Sequence, residues 1–160
     1  PVVLKNKQGV FYICQNDMVQ KKFSFKKVER LSGKIQFNNL FSSGHSLYLY
    51  PFLLIWKITE DDQACPVKAA FIAAKKKIKK AVKRNYIKRR IKESYRHHKI
   101  ELCDFLNEKK INIHLAIVYK EANPVPFKTL DEKINQCLKR LEKEITKQLC
   151  SYHEKKSNKD

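Results

Sequence analysis

The sequence predicts an α/β (α+β) two-layer sandwich, a small central sheet with helices packed on it. Three observations predict it. Apolar residues repeat at helical spacing through 87–102 and again through 130–149. Three other stretches, 47–58, 67–74 and 111–119, are instead continuously apolar or alternate along the chain, as strands do. Their order (helix, strands, helix, strand, helix) suits one sheet covered by helices.

Each element has its own local reason. Ser32 is placed to cap a short helix in which Phe37, Leu40 and Phe41 share a face, and Gly44 is placed to end it. The run 47–58 reads as one strand, with Pro51 marking an edge position or a bulge. Asp61-Asp62-Gln63 reads as a turn, and 67–74 as a second, mostly buried strand. A basic helix follows, then a polar break at 107–110 and a third strand in which Ile111, Ile113, Leu115, Ile117 and Tyr119 alternate. Asn123-Pro124-Val125-Pro126 is a rigid connection that continues neither element. Thr129 and Glu132 form a capping box for the last helix. There Leu130, Ile134, Cys137, Leu138, Leu141, Ile145 and Leu149 give the strongest periodicity in the chain, a pattern that belongs to core packing. The folded domain is expected over 23–149. An N-terminal extension, 1–22, lies outside it, and a polar, disordered tail occupies 150–160.

Composition narrows the partners. The chain has 160 residues, enough for one domain with a real core, and a formal charge of +19, which favours a polyanion. No stretch approaches the roughly 20 apolar residues that cross a bilayer. The apolar patch Val10-Phe11-Tyr12-Ile13 lacks the basic lead and long apolar core of a signal peptide. Cys14, Cys65, Cys103, Cys137 and Cys150 are scattered and odd in number. Reduced thiols in a cytoplasmic protein are therefore expected, with neither a zinc site nor a disulfide framework.

The charge is concentrated. Of the 35 Lys and Arg residues, 14 lie between Lys68 and Lys99, with Glu93 as the only acidic residue among them. On a helix of about 3.6 residues per turn, Ile87, Ile91, Ser94, Tyr95, His98 and Leu102 share one side, while Asn85, Lys88, Arg89, Lys92 and Arg96 share the other. Such a helix docks on a core and presents cations to a nucleic-acid backbone. A surplus of solvated lysine is the bland alternative, but packing like charge is costly without a partner. The sequence offers no nuclease constellation of its own. Asp61-Asp62 has no His or third acid at ligand spacing, and neighbouring His97 and His98 point in different directions on a helix. Helix-turn-helix spacing and dimerisation heptads are both missing, which disfavours a DNA-binding regulator.

The run Lys76-Lys77-Ile78, Lys80-Ala81-Val82, Arg84-Asn85, Lys88-Arg89, Glu93, Tyr95, Arg96 resembles the signature of the bacterial ribonuclease P protein component, in its Bacteroidetes-like form. The lead-in Phe25 to Leu31, the pair Phe37/Phe41, Gly44 and Tyr50-Pro51 are similar to the same family, as is the order of the last strand and helix, over about residues 23 to 147. Tyr86, Lys75 and Lys79 depart from the pattern: many members have Arg, Ser and Gly there.

The resemblance implies a subunit of a ribonucleoprotein that removes the 5′ leader of precursor tRNA. Its partners are the catalytic RNA and precursor tRNA, with no membrane and no obligate protein partner. It further implies a fold like a ribosomal-protein domain with a left-handed crossover, against the usual preference. Catalysis is assigned to the RNA, with Mg²⁺ held mainly by RNA and none by dedicated protein ligands. The RNA-binding residues it implies are Lys76, Lys77, Lys80, Arg84, Asn85, Lys88, Arg89, Lys92 and Arg96. For the leader it implies Phe37, Phe41 and a strand aromatic, Trp56, with Phe52 as the alternative. A ribosomal-type RNA-binding protein without enzymatic role is the competing reading.

Overall fold

The computed structural model describes residues 24–60 and 65–157, together with a short hairpin of Lys5–Asn6 against Gly9–Val10. The expected turn at Asp61–Gln63 and most of the 1–22 extension lie outside the described residues. Helix α1 spans Lys34–Ser43, followed by strands β1 (His45–Leu49), β2 (Phe52–Thr59) and β3 (Val67–Ala73). Helix α2 (Ala81–Lys109), strand β4 (Asn112–Tyr119) and helix α3 (Phe127–Ser157) complete the order. The sheet runs β1-β2-β4-β3, with β4 antiparallel to β2 and parallel to β3.

Side-chain alternation divides this sheet into two faces. Phe52, Leu54, Trp56, Val67, Ala69, Ile113, Leu115, Ile117 and Tyr119 join the main core with residues of α2 and α3. The opposite face carries a smaller cluster in which Leu40 of α1 and Leu31 meet Ala70 and Ala116, with Ile55 and Ile72 beside them. Strand β4 is therefore buried on both faces, and from Leu115 to Tyr119 it reads as a continuous apolar run rather than a clean alternation.

Several local expectations change. The run 47–58 is two strands, not one, because Tyr50 and the cis-linked Pro51 form a tight hairpin in place of a bulge. Helix α1 starts after Gly33, not on a Ser32 side-chain cap, since the chain turns in from Leu31 through a φ of 96° that favours glycine. Gly44 does end α1, for reasons of space: a Cβ there would collide with the Leu40 carbonyl oxygen, while φ is an ordinary −82°. Helix α3 begins at Phe127, directly after Pro126, so Thr129 and Glu132 lie inside its first turns and do not cap it. Its far end passes the 150 boundary and stays helical to Ser157, as no Gly or Pro interrupts it.

Candidate nucleic-acid interface

Helix α2 owes its position to the buried face Ile87, Ile91, Ser94, Tyr95, Leu102 and Leu106. That face leaves two flanks. On the flank beside β3, Asn85, Lys88, Arg89 and Lys92 line a groove of about 350 Å³ with Phe71 of β3. Four of the nine residues expected to bind RNA meet in this groove. Lys92 Nζ also lies 5.6 Å from the centre of the Phe25 ring, which packs edge-on to Tyr95 and beside Phe71. Phe25 thus sits against two of the residues that line the groove, Phe71 and Lys92, and holds the chain that leads into the fold. Lys99 reinforces that anchorage: it is buried, and donates to Glu29 and to the Ser24 carbonyl.

The remaining cations play unequal parts. Lys76, Lys77 and Lys80 are exposed on the turn before α2, which buried Ile78 pins to the core. Arg84 is turned inward: its Nη1 donates to the carbonyls of Ile78 (3.0 Å) and Lys79 (2.6 Å) and so fastens that turn to the helix. Arg96 is paired, with Nη2 donating to Glu93 Oε1 at 2.6 Å. That bond, assisted by His97 against the cost of partial burial, holds the Glu93 carboxyl down at about 2. Glu93 therefore stays ionised and subtracts one charge from the stripe at Arg96. His97 and His98 have different partners, Glu93 at 3.1 Å and Asp131 at 3.0 Å, as their positions on the helix require.

A second surface lies on the other face of the sheet. Registers place Tyr48, Leu53, Val118 and Ile72 in one row across all four strands, and Lys57, His114 and Lys68 in another. Helix α1 crosses between them, seated by Leu40. Around that helix Ser43 falls to one side of Leu40 and Phe37 and Phe41 to the other. Ser43 Oγ accepts a hydrogen bond from Lys57 Nζ at 2.8 Å, which puts Phe37 and Phe41 on the side of the helix toward the Tyr48–Ile72 row, where Phe37 packs against the smaller cluster. The two rings stack at 6.5 Å; Phe37 is partly buried, whereas Phe41 remains 49 % exposed and Tyr48 54 %.

Trp56 does not belong to this surface. It is 2 % exposed in the main core, on the helix side of β2, because even-numbered residues of that strand face α2 and α3. Phe52 points the same way. Tyr48 is the strand aromatic on the α1 side. A single strand bulged at Pro51 hides it, and only the hairpin brings it into register with Leu53. The two surfaces meet at β3, where Phe71 lines the cationic groove and the next residue, Ile72, lines the aromatic row.

Residues 25–142 match the family described as Ribonuclease P. The chain belongs to the ribonuclease P protein family. It is 29 % identical over 119 residues to the ribonuclease P protein component of Porphyromonas gingivalis, covering 74 % of this chain and 87 % of that one. The corresponding protein of Geotalea uraniireducens is 29 % identical over 124 residues, covering 77 % and 99 %. Among solved structures, the Staphylococcus aureus RNase P protein superposes with a TM-score of 0.58 at 19 % identity, covering 71 % of this chain and 94 % of that one. The Thermotoga maritima RNase P protein gives 0.53 at 22 %, covering 69 % and 96 %. These two establish the ribonuclease P protein fold. Membership makes the chain a subunit of an enzyme of tRNA 5′ processing, and the ribosomal-type alternative is not favoured. No helix among the described residues is long and apolar enough to cross a membrane, and none of their His, Cys, Asp and Glu side chains cluster to hold a metal ion.

Proposed function

We propose that this subunit divides its work between the two surfaces. The α2 groove and the turn before it grip the catalytic RNA through phosphates. Lys88, Arg89 and Lys92 are the principal contacts, with Asn85, Lys76, Lys77 and Lys80 around them. Arg84 contributes by setting the turn, and Arg96 only to the extent that RNA competes with Glu93. The row beneath Phe37 and Phe41 takes the unpaired 5′ leader, whose free bases stack on exposed rings. Tyr48 replaces Trp56 as the strand aromatic of that cleft. The observation that carries this reading is the adjacency of Phe71 and Ile72, which puts a phosphate-binding groove and an aromatic row back to back across one strand.

The protein provides no acid, base or nucleophile to the hydrolysis. Mg²⁺ is held by RNA oxygens, and the subunit works in the cytoplasm on precursor tRNA. The full chain and the catalytic RNA of the same organism, assayed together and separately at low Mg²⁺, test this. Cleavage is expected only from the pair; activity of protein rigorously freed of RNA overturns the assignment.

A further inference from the structure

The other flank of α2, turned away from the phosphate groove, carries a feature that the two surfaces above do not use. Arg90 reaches toward the start of α3, where its Nη1 donates to the Val125 carbonyl at 2.9 Å. Its guanidinium lies over two rings at once, 5.2 Å from the centre of Tyr86 and 5.5 Å from that of Phe127. Neither ring is spent on the core: Tyr86 is 51 % exposed and Phe127 41 %. The support is nonetheless rigid. Tyr119 OH donates to the Asn123 carbonyl at 2.6 Å and accepts from the Val125 N–H at 3.2 Å, which fixes the Pro124–Pro126 connection below the cluster. Lys83 and Lys128 are exposed beside it in sequence.

We infer that Tyr86, Arg90 and Phe127 form a stacking platform for an unpaired base of the catalytic RNA. The chemistry selects this occupant. A half-exposed ring offers a face on which any base can stack, and a guanidinium held against it adds a cation near the phosphate that follows. An apolar protein partner would have to bury Arg90 and its neighbouring lysines without a counter-charge, which is costly. The platform also accounts for Tyr86 within a run of cations: at that place on the helix a ring replaces a charge and makes a contact that salt does not screen. RNA would then straddle the first half of α2, with phosphates on one flank and a base on the other. This inference rests on the assignment of the catalytic RNA as the partner of α2.

The test uses the full chain and the catalytic RNA of the same organism. Tyr86→Ala and Phe127→Ala are each expected to weaken binding on the order of 5- to 150-fold, the worth of one stacked base, with the slope of log affinity against log salt unchanged. Tyr86→Phe, which keeps the ring, is expected to bind as the parent does. Tyr86→Trp supplies a direct reading, since an indole stacked on a base loses fluorescence and Trp56 is shielded in the core. Quenching that saturates with RNA supports the platform. Unchanged affinity in both Ala variants, or Trp emission that RNA leaves intact, overturns it while leaving the phosphate groove standing. Failure of the parent chain to bind this RNA at all overturns the platform and the partner assignment together.

Discussion

Replacing Phe41 with Ala separates recognition from folding, because the ring is half exposed. A Phe side chain fully removed from water stabilises a fold by about 1.5–3 kcal/mol, so the buried half of Phe41 is worth about 1 kcal/mol. The protein should remain folded, with a small drop in melting temperature. A core Phe would instead cost about 3–5 kcal/mol. On the proposed reading the same ring offers one stacking surface to the leader in the holoenzyme, roughly 1–3 kcal/mol, or a factor of about 5 to 150 in affinity. The loss should appear for precursor tRNA and be nearly absent for mature tRNA, which has no leader. Equilibrium binding of both tRNAs to holoenzyme, beside a thermal melt of the free variant, measures the three quantities. Equal losses for the two tRNAs, or a melt as damaged as that of a buried-core variant, would refute the placement of the leader beneath α1.

Trp56→Ala should behave in the opposite way, losing about 3–5 kcal/mol of stability with no preference between precursor and mature tRNA, as measured by denaturant unfolding and binding. Joint replacement of Lys88, Arg89 and Lys92 by Ala should lower RNA affinity and flatten its salt slope by about 2 to 3, at about 0.7–0.9 for each phosphate no longer neutralised, while circular dichroism stays unchanged. Arg84→Ala should cost about 1–2 kcal/mol of stability through its two bonds to the turn, a loss visible in unfolding before any RNA is added. Glu93→Gln should release Arg96 and raise RNA affinity, with a salt slope steeper by about one phosphate's share. The sign in pH is fixed by the lowered Glu93 pKa: any stabilisation from its pairing is present above the ordinary carboxylate range and fades as pH falls toward about 2. It is small, because the carboxylate is half exposed.

What the sequence made legible followed periodicity. The buried side of α2 and the seven-residue apolar ladder of α3 repeat every three or four positions, and every member of that ladder from Leu130 to Ile145 is buried. Strand β2 was harder. Both of its faces are covered, one by α2 and α3 and the other by α1, so its apolar run carries no alternation to say which way Trp56 points. Only the registers around the Pro51 hairpin settle this. Along the basic stripe, helical spacing grouped Asn85, Lys88, Arg89 and Lys92, which line one groove, but could not distinguish Arg84, spent on backbone carbonyls, from Lys88, which faces the groove. Residues brought close from distant segments left no local signal: Phe25 beside Lys92, and Phe127 beside Arg90.

The place of β4 between β2 and β3 has a consequence for how the subunit is made. The ribosome delivers β2 and β3 first, yet these strands share no ladder until β4 enters between them. At about 5–20 residues per second, the interval between the end of β3 and the end of β4 is on the order of several seconds. For that time two apolar strands present unpaired edges, the usual invitation to self-association. The segment emerging during this interval includes α2 and the basic turn before it, the most cationic part of the chain, and like charge of that kind opposes association. The Tyr48–Leu53–Val118–Ile72 row, drawn from all four strands, comes into existence only when β4 docks. A chain that has not finished folding therefore already carries its cationic segment but has not yet assembled that row.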